Sequence, residues 1–204
     1  MRRRQRRWMI CVVAMCVGLL PTTASAGQRS WDELRQQVEM LRREEHYGEA
    51  IAAAKEALKV AEEAPNPDQL RVAAALNDLA NLYRALADAA KTQYLQSTPL
   101  YERALALMEK NLGPNHSNVA ITLNNLAALY VAQGEYGKAE AADQRALTIW
   151  ESTLGFSHPN VGILLTDLAQ AYSAEGKYKE AEAAYQRAVG ILTSTLGSDH
   201  PLAV

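Results

Sequence analysis

The chain has 204 residues, enough for one domain or one short solenoid, and 49% of them are hydrophobic with a single Phe. Alanine and leucine dominate the apolar set, which favours closely packed helices over sheet, because strands prefer β-branched and aromatic residues. The formal net charge of −2 argues against nucleic acid as a partner, since binding it requires clustered Lys and Arg.

The first predicted element, residues 1–26, has the three-part pattern of a secretory signal peptide. The basic stretch MRRRQRR precedes an apolar run of 13 residues from Trp8 to Leu20, and the segment ends in the small-residue sequence ASA. Cleavage is predicted after Ala26, which predicts a periplasmic or secreted protein. The apolar run is shorter than the ~18–20 residues that a spanning helix needs, and an uncleaved inner-membrane anchor is the alternative.

Cleavage would change two bulk properties of the chain. The two cysteines, Cys11 and Cys16, lie in the leader, so the mature chain would hold no disulfide and no thiol nucleophile. Five of the 21 basic residues would also leave, while all 23 acidic residues stay, which gives residues 27–204 a net charge of −7. This acidic balance strengthens the argument against nucleic acid.

A 42-residue period organises the rest of the chain. The phrase LGPNHSNV at residues 112–119 returns as LGFSHPNV at 154–161, and LGSDHP begins a partial fifth copy at 196–204. The third and fourth units, residues 112–153 and 154–195, align without a gap.

Two looser copies precede this pair. The sequence HYGEAIAAAKEAL matches EYGKAEAADQRAL of the third unit, so residues 30–63 are predicted to form a helix pair. LNDLANLY matches LNNLAALY, which predicts a second pair over residues 70–111, and Pro65 and Pro67 mark the break between the two pairs. An insertion of five residues after LNDLANLY predicts either an extended helix or a longer loop.

Each unit is predicted to hold two helices with apolar faces at helical spacing, the second face being built from small residues that permit close approach. The predicted core positions are Trp31, Leu34, Val38 and Leu41 in the first unit; Val119, Leu123, Leu126, Ala127, Tyr130, Ala139, Ala142, Ala146 and Ile149 in the third; and Val161, Leu165, Leu168, Ala169, Tyr172, Ala181, Ala184, Ala188 and Ile191 in the fourth.

The LGxxHP motif is predicted to mark the boundary between two helices, with glycine ending one helix and a short polar residue capping the next. Its histidines are predicted to bond backbone or a neighbouring unit, because residues one repeat apart cannot converge on a single metal. The positions are Gly113, Gly155 and Gly197 as ends of second helices, Gly134 and Gly176 as ends of first helices, Asn115, Ser157 and Asp199 as caps, Pro159 and Pro201 in first turns, and the histidines His116, His158 and His200.

The motifs L-G-x-x-H-P-x-V, L-N-N-L-A-x-L-Y, G-x-Y-x-x-A-E and Q-R-A-L on this period resemble the tetratricopeptide repeats of kinesin light chain. The resemblance covers residues 112–204 closely and 30–111 loosely. It implies an all-α fold, a right-handed α-solenoid of about four helix-turn-helix repeats. In such a solenoid the first helix of each pair lines a concave groove that binds peptides or partner proteins.

On that geometry, groove positions follow by counting from Leu123 as a buried residue. They are Asn77, Asn81 and Arg84 in the second unit, Asn124, Ala128 and Val131 in the third, Thr166, Gln170 and Ser173 in the fourth, and Arg35, Glu39 and Arg42 in the first. Asparagine offers a donor and an acceptor, so a row of them can bond an extended backbone of any sequence.

The resemblance implies a role in holding cargo peptide for Asn124 and in part for Asn77, and it fails at Thr166. Asn125 is the alternative contact if the register is shifted by one residue. A solvated helix surface is the alternative interpretation of all these positions. The arginines Arg35, Arg42 and Arg84 favour acidic or C-terminal carboxylate ligands, and a solvated face explains them as well.

No nucleophile elbow, phosphate loop or zinc spacing occurs in the sequence, and Asp and Glu read as solvating charge on helix surfaces. The chain is therefore predicted to be non-enzymatic, with no catalytic residue, metal or cofactor. The expected function is an adaptor in a bacterial-type envelope that binds proteins or extended peptides. A self-assembling structural component and a membrane-anchored array are the alternatives.

The last helix is predicted to leave an apolar face open at Val189 and Leu192, because a solenoid normally ends in a polar capping helix. This face is expected to dock on a second copy or on another protein. In the alternative, Leu202 and Val204 fold back over it.

Overall fold

The computed structural model describes residues 29–90 and 94–197, which form eight α-helices. In chain order they are α1 (Trp31–Arg43), α2 (Tyr47–Glu62), α3 (Gln69–Ala90), α4 (Ser97–Leu112), α5 (Ser117–Gln133), α6 (Tyr136–Leu154), α7 (Pro159–Glu175) and α8 (Tyr178–Leu196). The predicted leader and the predictions for Asp199, His200, Pro201, Leu202 and Val204 fall outside the described residues. Across those same ranges, no helix combines the length and hydrophobicity that crossing a bilayer demands.

The helices pack as four consecutive pairs, α1 with α2, α3 with α4, α5 with α6 and α7 with α8. Each pair also packs on the next one through α2–α3, α4–α5 and α6–α7. The odd-numbered helices contact each other directly as well, α3 with α5 and α5 with α7, which places them on the inner side of the array. The predicted all-α solenoid of helix pairs is confirmed.

The core consists of the apolar stripes predicted from the period. Leu34 of α1, Val119 of α5, and Ala139 and Ala146 of α6 are fully buried. The repeat tyrosines differ from the prediction, since Tyr130 lies only partly in the core. The Lys138 ammonium lies 5.3 Å from the centroid of the Tyr130 ring, so the ring also makes a cation–π contact.

The helix caps correct one prediction. Asn115 and Ser157 were expected to cap the next helix, but the N-cap residues of α5 and α7 are His116 and His158. In each, imidazole Nδ1 accepts a hydrogen bond of 3.1 Å from the backbone N–H two residues on. The histidine has extended backbone geometry just before the first turn, which is where a side-chain acceptor reaches the unpaired N–H groups.

Two kinds of glycine end the helices, as predicted. Gly176 closes α7 in the left-handed conformation, with φ of 85°, where a side chain would be strained. Gly155 closes α6 with φ of 90° and an extended ψ of 157°, which turns the chain toward the next first helix. Pro159 then occupies the first turn of α7, also as predicted.

The five-residue insertion of the second unit lengthens a helix. α3 has 22 residues, whereas its counterparts α5 and α7 have 17 each. Of the two predicted alternatives, the extended helix is therefore present up to Ala90, and residues 91–93 fall outside the described ranges.

The prediction for the last helix is right at one position and wrong at the other. Val189 is exposed, as expected, but Leu192 is buried. The reason is Gly162 of α7, where even a methyl group would come within 2.8 Å of Leu192 Cγ. The missing side chain lets Leu192 pack inside its own pair.

Candidate partner-binding groove

The inner helices α1, α3 and α5, with Tyr47 at the start of α2, line a surface cavity of about 430 Å³. Most of its lining is polar or charged. The lining residues are Val38, Glu39, Arg42, Tyr47, Asp78, Asn81, Leu82, Arg84, Ala85 and Asn125. The cavity therefore lies on the side of the array that carries the predicted groove positions.

Polar side chains join each inner helix to the next. Arg35 Nε of α1 donates to Asp78 Oδ2 of α3 at 2.9 Å, and Asn125 Nδ2 of α5 lies 3.5 Å from Asn77 Oδ1 of α3. Because apolar residues fill the rest of each interface, these bonds help to set the spacing of the inner helices along the groove. Burial raises the pKa of Asp78, and the guanidinium of Arg35 opposes that rise.

Arg84 differs from the other two arginines among the predicted groove positions. Arg35 is paired with Asp78 and Arg42 with Glu39, whereas no carboxylate of residues 29–90 or 94–197 forms an ion pair with Arg84. Its Nε is buried without a hydrogen-bond partner. The guanidinium lies beside the Tyr101 hydroxyl and acts to lower the pKa of that group, so its internal neighbour is neutral and no carboxylate of the described residues balances its charge.

Tyr101 of α4 supports this part of the cavity from behind. Its ring is fully buried, and its hydroxyl donates to Asn81 Oδ1 at 2.5 Å. Burial raises the pKa of the Tyr101 hydroxyl to about 12, against the opposing charge of Arg84, so the hydroxyl stays a donor at neutral pH. Because the side-chain carbonyl of Asn81 accepts this bond, its NH2 group remains as the donor for a ligand.

A second polar cluster lies further along, between α5, α6 and α7. Asn124 Nδ2 donates to Asp143 Oδ1 at 3.2 Å and to Asp167 Oδ2 at 3.0 Å. Asp143 is 1% exposed. Burial raises its pKa to about 8, the charge of Asp167 adds to the rise, and the bond from Asn124 opposes it. Burial raises the pKa of Asp167 too, and Arg84 and Asn124 oppose that rise.

The predicted groove residues therefore divide into two groups. Asn81 and Arg84 line the cavity, together with Glu39 and Arg42 of the first unit. Asn125 lines it too, so the alternative register applies in the third unit, where Asn124 instead bonds the buried carboxyls. Arg35, which pairs with Asp78, is not part of the lining. The remaining positions also lie outside it: Asn77, Ala128, Val131, Thr166, Gln170 and Ser173.

Two of these outlying positions have an identified local role. Asn77 accepts the bond from Asn125, and Thr166 Oγ1 donates to the Gly162 carbonyl at 3.1 Å within its own helix. Thr166 thus satisfies its hydroxyl locally, as Thr often does in helices. The fourth unit contributes less to the cavity than the second.

Sequence reasoning missed the buried carboxyls. The acids were expected to be solvating charge, which is wrong for Asp143. One signal was present: Asp143 stands 42 residues after Tyr101 and 42 before Tyr185, at a position where the neighbouring units carry an aromatic ring. Among the described residues, no group of three metal-ligating side chains converges.

Solved structures of helical repeat proteins resemble this fold. A putative kinesin light chain from Podosopora anserina with nearly identical TPR-like repeats is 26% identical, with a TM-score of 0.69 over 85% of this chain and 81% of that one. Aspartyl phosphate phosphatase F from Bacillus subtilis is 15% identical, with a TM-score of 0.68 over 81% and 42% of the two chains. The apo form of RapI is 16% identical, with a TM-score of 0.71 over 84% and 59%.

The two less similar structures share the fold alone. No curated protein sequence gives a significant match to the chain. The sequence profile of the tetratricopeptide repeat matches residues 34–92, 85–152 and 120–194, which together span most of the chain. Repeats of this kind generally mediate interactions between proteins. The chain belongs to the tetratricopeptide repeat family.

Proposed function

We propose that this protein is a non-enzymatic adaptor that holds an extended segment of a partner protein in the groove of its odd-numbered helices. The observation that carries the proposal is Arg84, a cation that lines a cavity of about 430 Å³ and forms no ion pair with a carboxylate of residues 29–90 or 94–197. Asn81 and Asn125 line the same cavity and can bond a peptide backbone regardless of its sequence.

The charge of the cavity favours an acidic ligand. A carboxylate can accept two parallel bonds from one guanidinium, which makes such pairs stronger than neutral hydrogen bonds. Arg84 has no internal carboxylate to displace among the described residues, whereas Arg35 and Arg42 would have to leave Asp78 and Glu39. An acidic side chain or a C-terminal carboxylate would therefore bind at Arg84 first.

The groove is tested by substituting Arg84. With residues 27–204 as bait in an envelope extract, R84A is expected to lower retention of the bound partner about 10- to 100-fold, the range for one lost charged hydrogen bond of ~1.5–3 kcal/mol. N81A combined with N125A is expected to weaken the same partner further. Retention would be quantified by mass spectrometry of the eluate.

The matched control is R103A on α4. Arg103 is an exposed arginine on a second helix, and its ion pair with Glu62 at 2.6 Å contributes little to stability at the surface. R103A should retain the partner as the unsubstituted chain does. An unchanged set of partners with R84A would refute binding in the groove.

The proposed location is the periplasm or the exterior of a bacterial-type cell, and it rests on the leader pattern of residues 1–26. Mass spectrometry of the N-terminus of protein purified from its native source is expected to find Gly27 first. Substituting lysine for Ala26, at the small-residue site, should block processing. A mature chain that still begins at Met1 would favour the membrane-anchored array instead.

A further inference from the structure

Two exposed isoleucines lie on the inner helices, one turn away from the polar residues of the groove. Ile121 of α5 is 44% exposed and Ile163 of α7 is 36% exposed. Ile121 stands four residues before Asn125, which lines the cavity, and Ile163 stands four residues before Asp167, the equivalent of Asn125 in the next unit. Residues four apart share one side of a helix, so both isoleucines face the groove.

The two isoleucines form one patch. Ile163 follows Ile121 by 42 residues, which is one repeat, so they occupy the same position on neighbouring inner helices. α5 and α7 contact each other directly, and packed helices lie about 8–10 Å apart, a distance that one large side chain can cover. Ala74 is the equivalent residue of α3. This isoleucine patch therefore offers apolar surface to a ligand whose side chain would leave water on binding.

The shape of this side of the array selects the kind of partner. The odd-numbered helices approach one another, α3 with α5 and α5 with α7, whereas the even-numbered helices show no comparable approach within residues 29–90 and 94–197. The array is therefore packed more closely on its odd side, and that side is concave. A narrow extended segment can follow a concave floor, whereas a flat surface would contact mainly its rim.

The repeat gives the distance between the isoleucine patch and Arg84. Val131 of α5 is the equivalent of Arg84, 47 residues later, and it stands ten residues after Ile121. Ten residues of helix are about 15 Å long, and the step from α3 to α5 adds about 8–10 Å across the groove. The direct path is thus about 17–18 Å, which about five or six residues of extended chain would span at ~3.3 Å each.

The amides of the cavity lie between these two contacts. Asn125 stands four residues after Ile121, and Asn81 stands three residues before Arg84, so both lie between the two levels of the groove. Both side chains line the cavity. They can therefore bond the backbone of a segment whose side chains are held at Arg84 and at the isoleucine patch.

We propose that the partner segment carries a large aliphatic or aromatic residue about five or six residues away from an acidic residue, with the apolar side chain on the isoleucine patch and the carboxylate at Arg84. This inference rests on the proposed function and adds the chemistry and the spacing of the ligand. Charge alone would admit any acidic chain. The isoleucine patch strengthens binding only of chains whose apolar residue has the right separation, so it makes the groove selective.

Selection from a phage-displayed library of random dodecapeptides, with the purified protein as bait, tests this pattern. The enriched peptides are expected to carry the acidic and the apolar residue at this separation, and fluorescence anisotropy of labelled synthetic copies gives their dissociation constants. I121Q combined with I163Q should raise those constants about tenfold, because the apolar contact is lost while glutamine, a good helix former, keeps the helices intact.

The matched control is V189Q, which makes the same kind of change at a 47% exposed valine on the outer helix α8 and should leave the dissociation constants unchanged. Enriched acidic peptides that depend on Arg84 but lack the apolar residue, or that bind the isoleucine double variant equally well, would overturn this inference and leave the proposed function standing. A library that yields no Arg84-dependent peptide would overturn both. A double variant with an altered sedimentation mass in the absence of peptide would show that a second copy covers the patch, contrary to the inference.

Discussion

Replacing Asp143 with asparagine is expected to raise the free energy of unfolding at pH 8 by about 2–5 kcal/mol, and by much less at pH 4. Burial raises the pKa of Asp143 from its ordinary value of 3.8 to about 8, and each unit of difference in pKa corresponds to ~1.4 kcal/mol. Between these two pKa values the unfolded chain has lost a proton that the folded chain keeps. The stability of the unsubstituted protein therefore falls as pH rises from about 4 to about 8 and levels off above that.

Asparagine keeps the shape of the site and removes the charge. Its carbonyl can still accept from Asn124 Nδ2, so the hydrogen bond between residues 124 and 143 is kept. Asp78 and Asp167 also have raised pKa values and add to the pH dependence of both proteins. D143N also removes the charge interaction between Asp143 and Asp167, so the difference between the unsubstituted chain and D143N reports Asp143 together with that interaction.

Urea unfolding at pH 4, 6 and 8 measures this difference. The control is E182Q, which removes the same charge at an exposed position on α8 and should leave both the stability and its pH dependence nearly unchanged. Parallel pH curves for D143N and the unsubstituted chain would show that Asp143 is charged in the folded state, contrary to the expected burial effect.

Replacing Tyr101 with alanine is expected to destabilise the protein by about 3–5 kcal/mol, the usual cost of removing a fully buried aromatic ring. The ring is 0% exposed and packs with Ala80 of α3 and with Leu126 and Leu129 of α5, so its loss opens a cavity where three helices meet. Y101F keeps the ring and removes the hydroxyl that donates to the Asn81 carbonyl and lies beside the Arg84 guanidinium, at an expected cost of about 1–2 kcal/mol.

The comparison with the last unit supplies the control. Tyr185 occupies the same repeat position on α8 but is 37% exposed, so Y185A should cost clearly less than Y101A. Denaturant midpoints of Y101A, Y101F and Y185A give the ranking directly. Equal losses for Y101A and Y185A would contradict the view that the following helix, and not the tyrosine itself, creates the stabilisation.

The period of the sequence predicted the helices and most of the core, because residues buried on one face of a helix recur as apolar residues at helical spacing. It did not identify the caps. In FSHP the polar residues Ser157 and His158 are adjacent, and only the backbone path after Gly155 decides which of them reaches the N–H groups. A one-residue choice of this kind depends on tertiary geometry.

The groove shows the same limit. Asn124 and Asn125 are neighbours in LNNLA, and they point to different surroundings, one toward the buried carboxyls and the other into the cavity. Arg84 was predicted as a groove residue, but its lack of an internal partner could not be read from sequence, since it depends on where Asp78 and Glu39 place their carboxylates. Burial of Asp143 depends likewise on how closely α7 approaches α6.

The turns between units have a consequence for how such arrays change length. Gly113 and Gly155 have nearly the same backbone angles, φ of 89° and 90° with ψ of 155° and 157°, and each is followed by a histidine cap. A duplicated copy of residues 112–153 would therefore join the units before and after it through turns of the same backbone geometry. Gene duplication could extend this protein one module at a time, and the recognition surface would grow while the two ends stayed as they are.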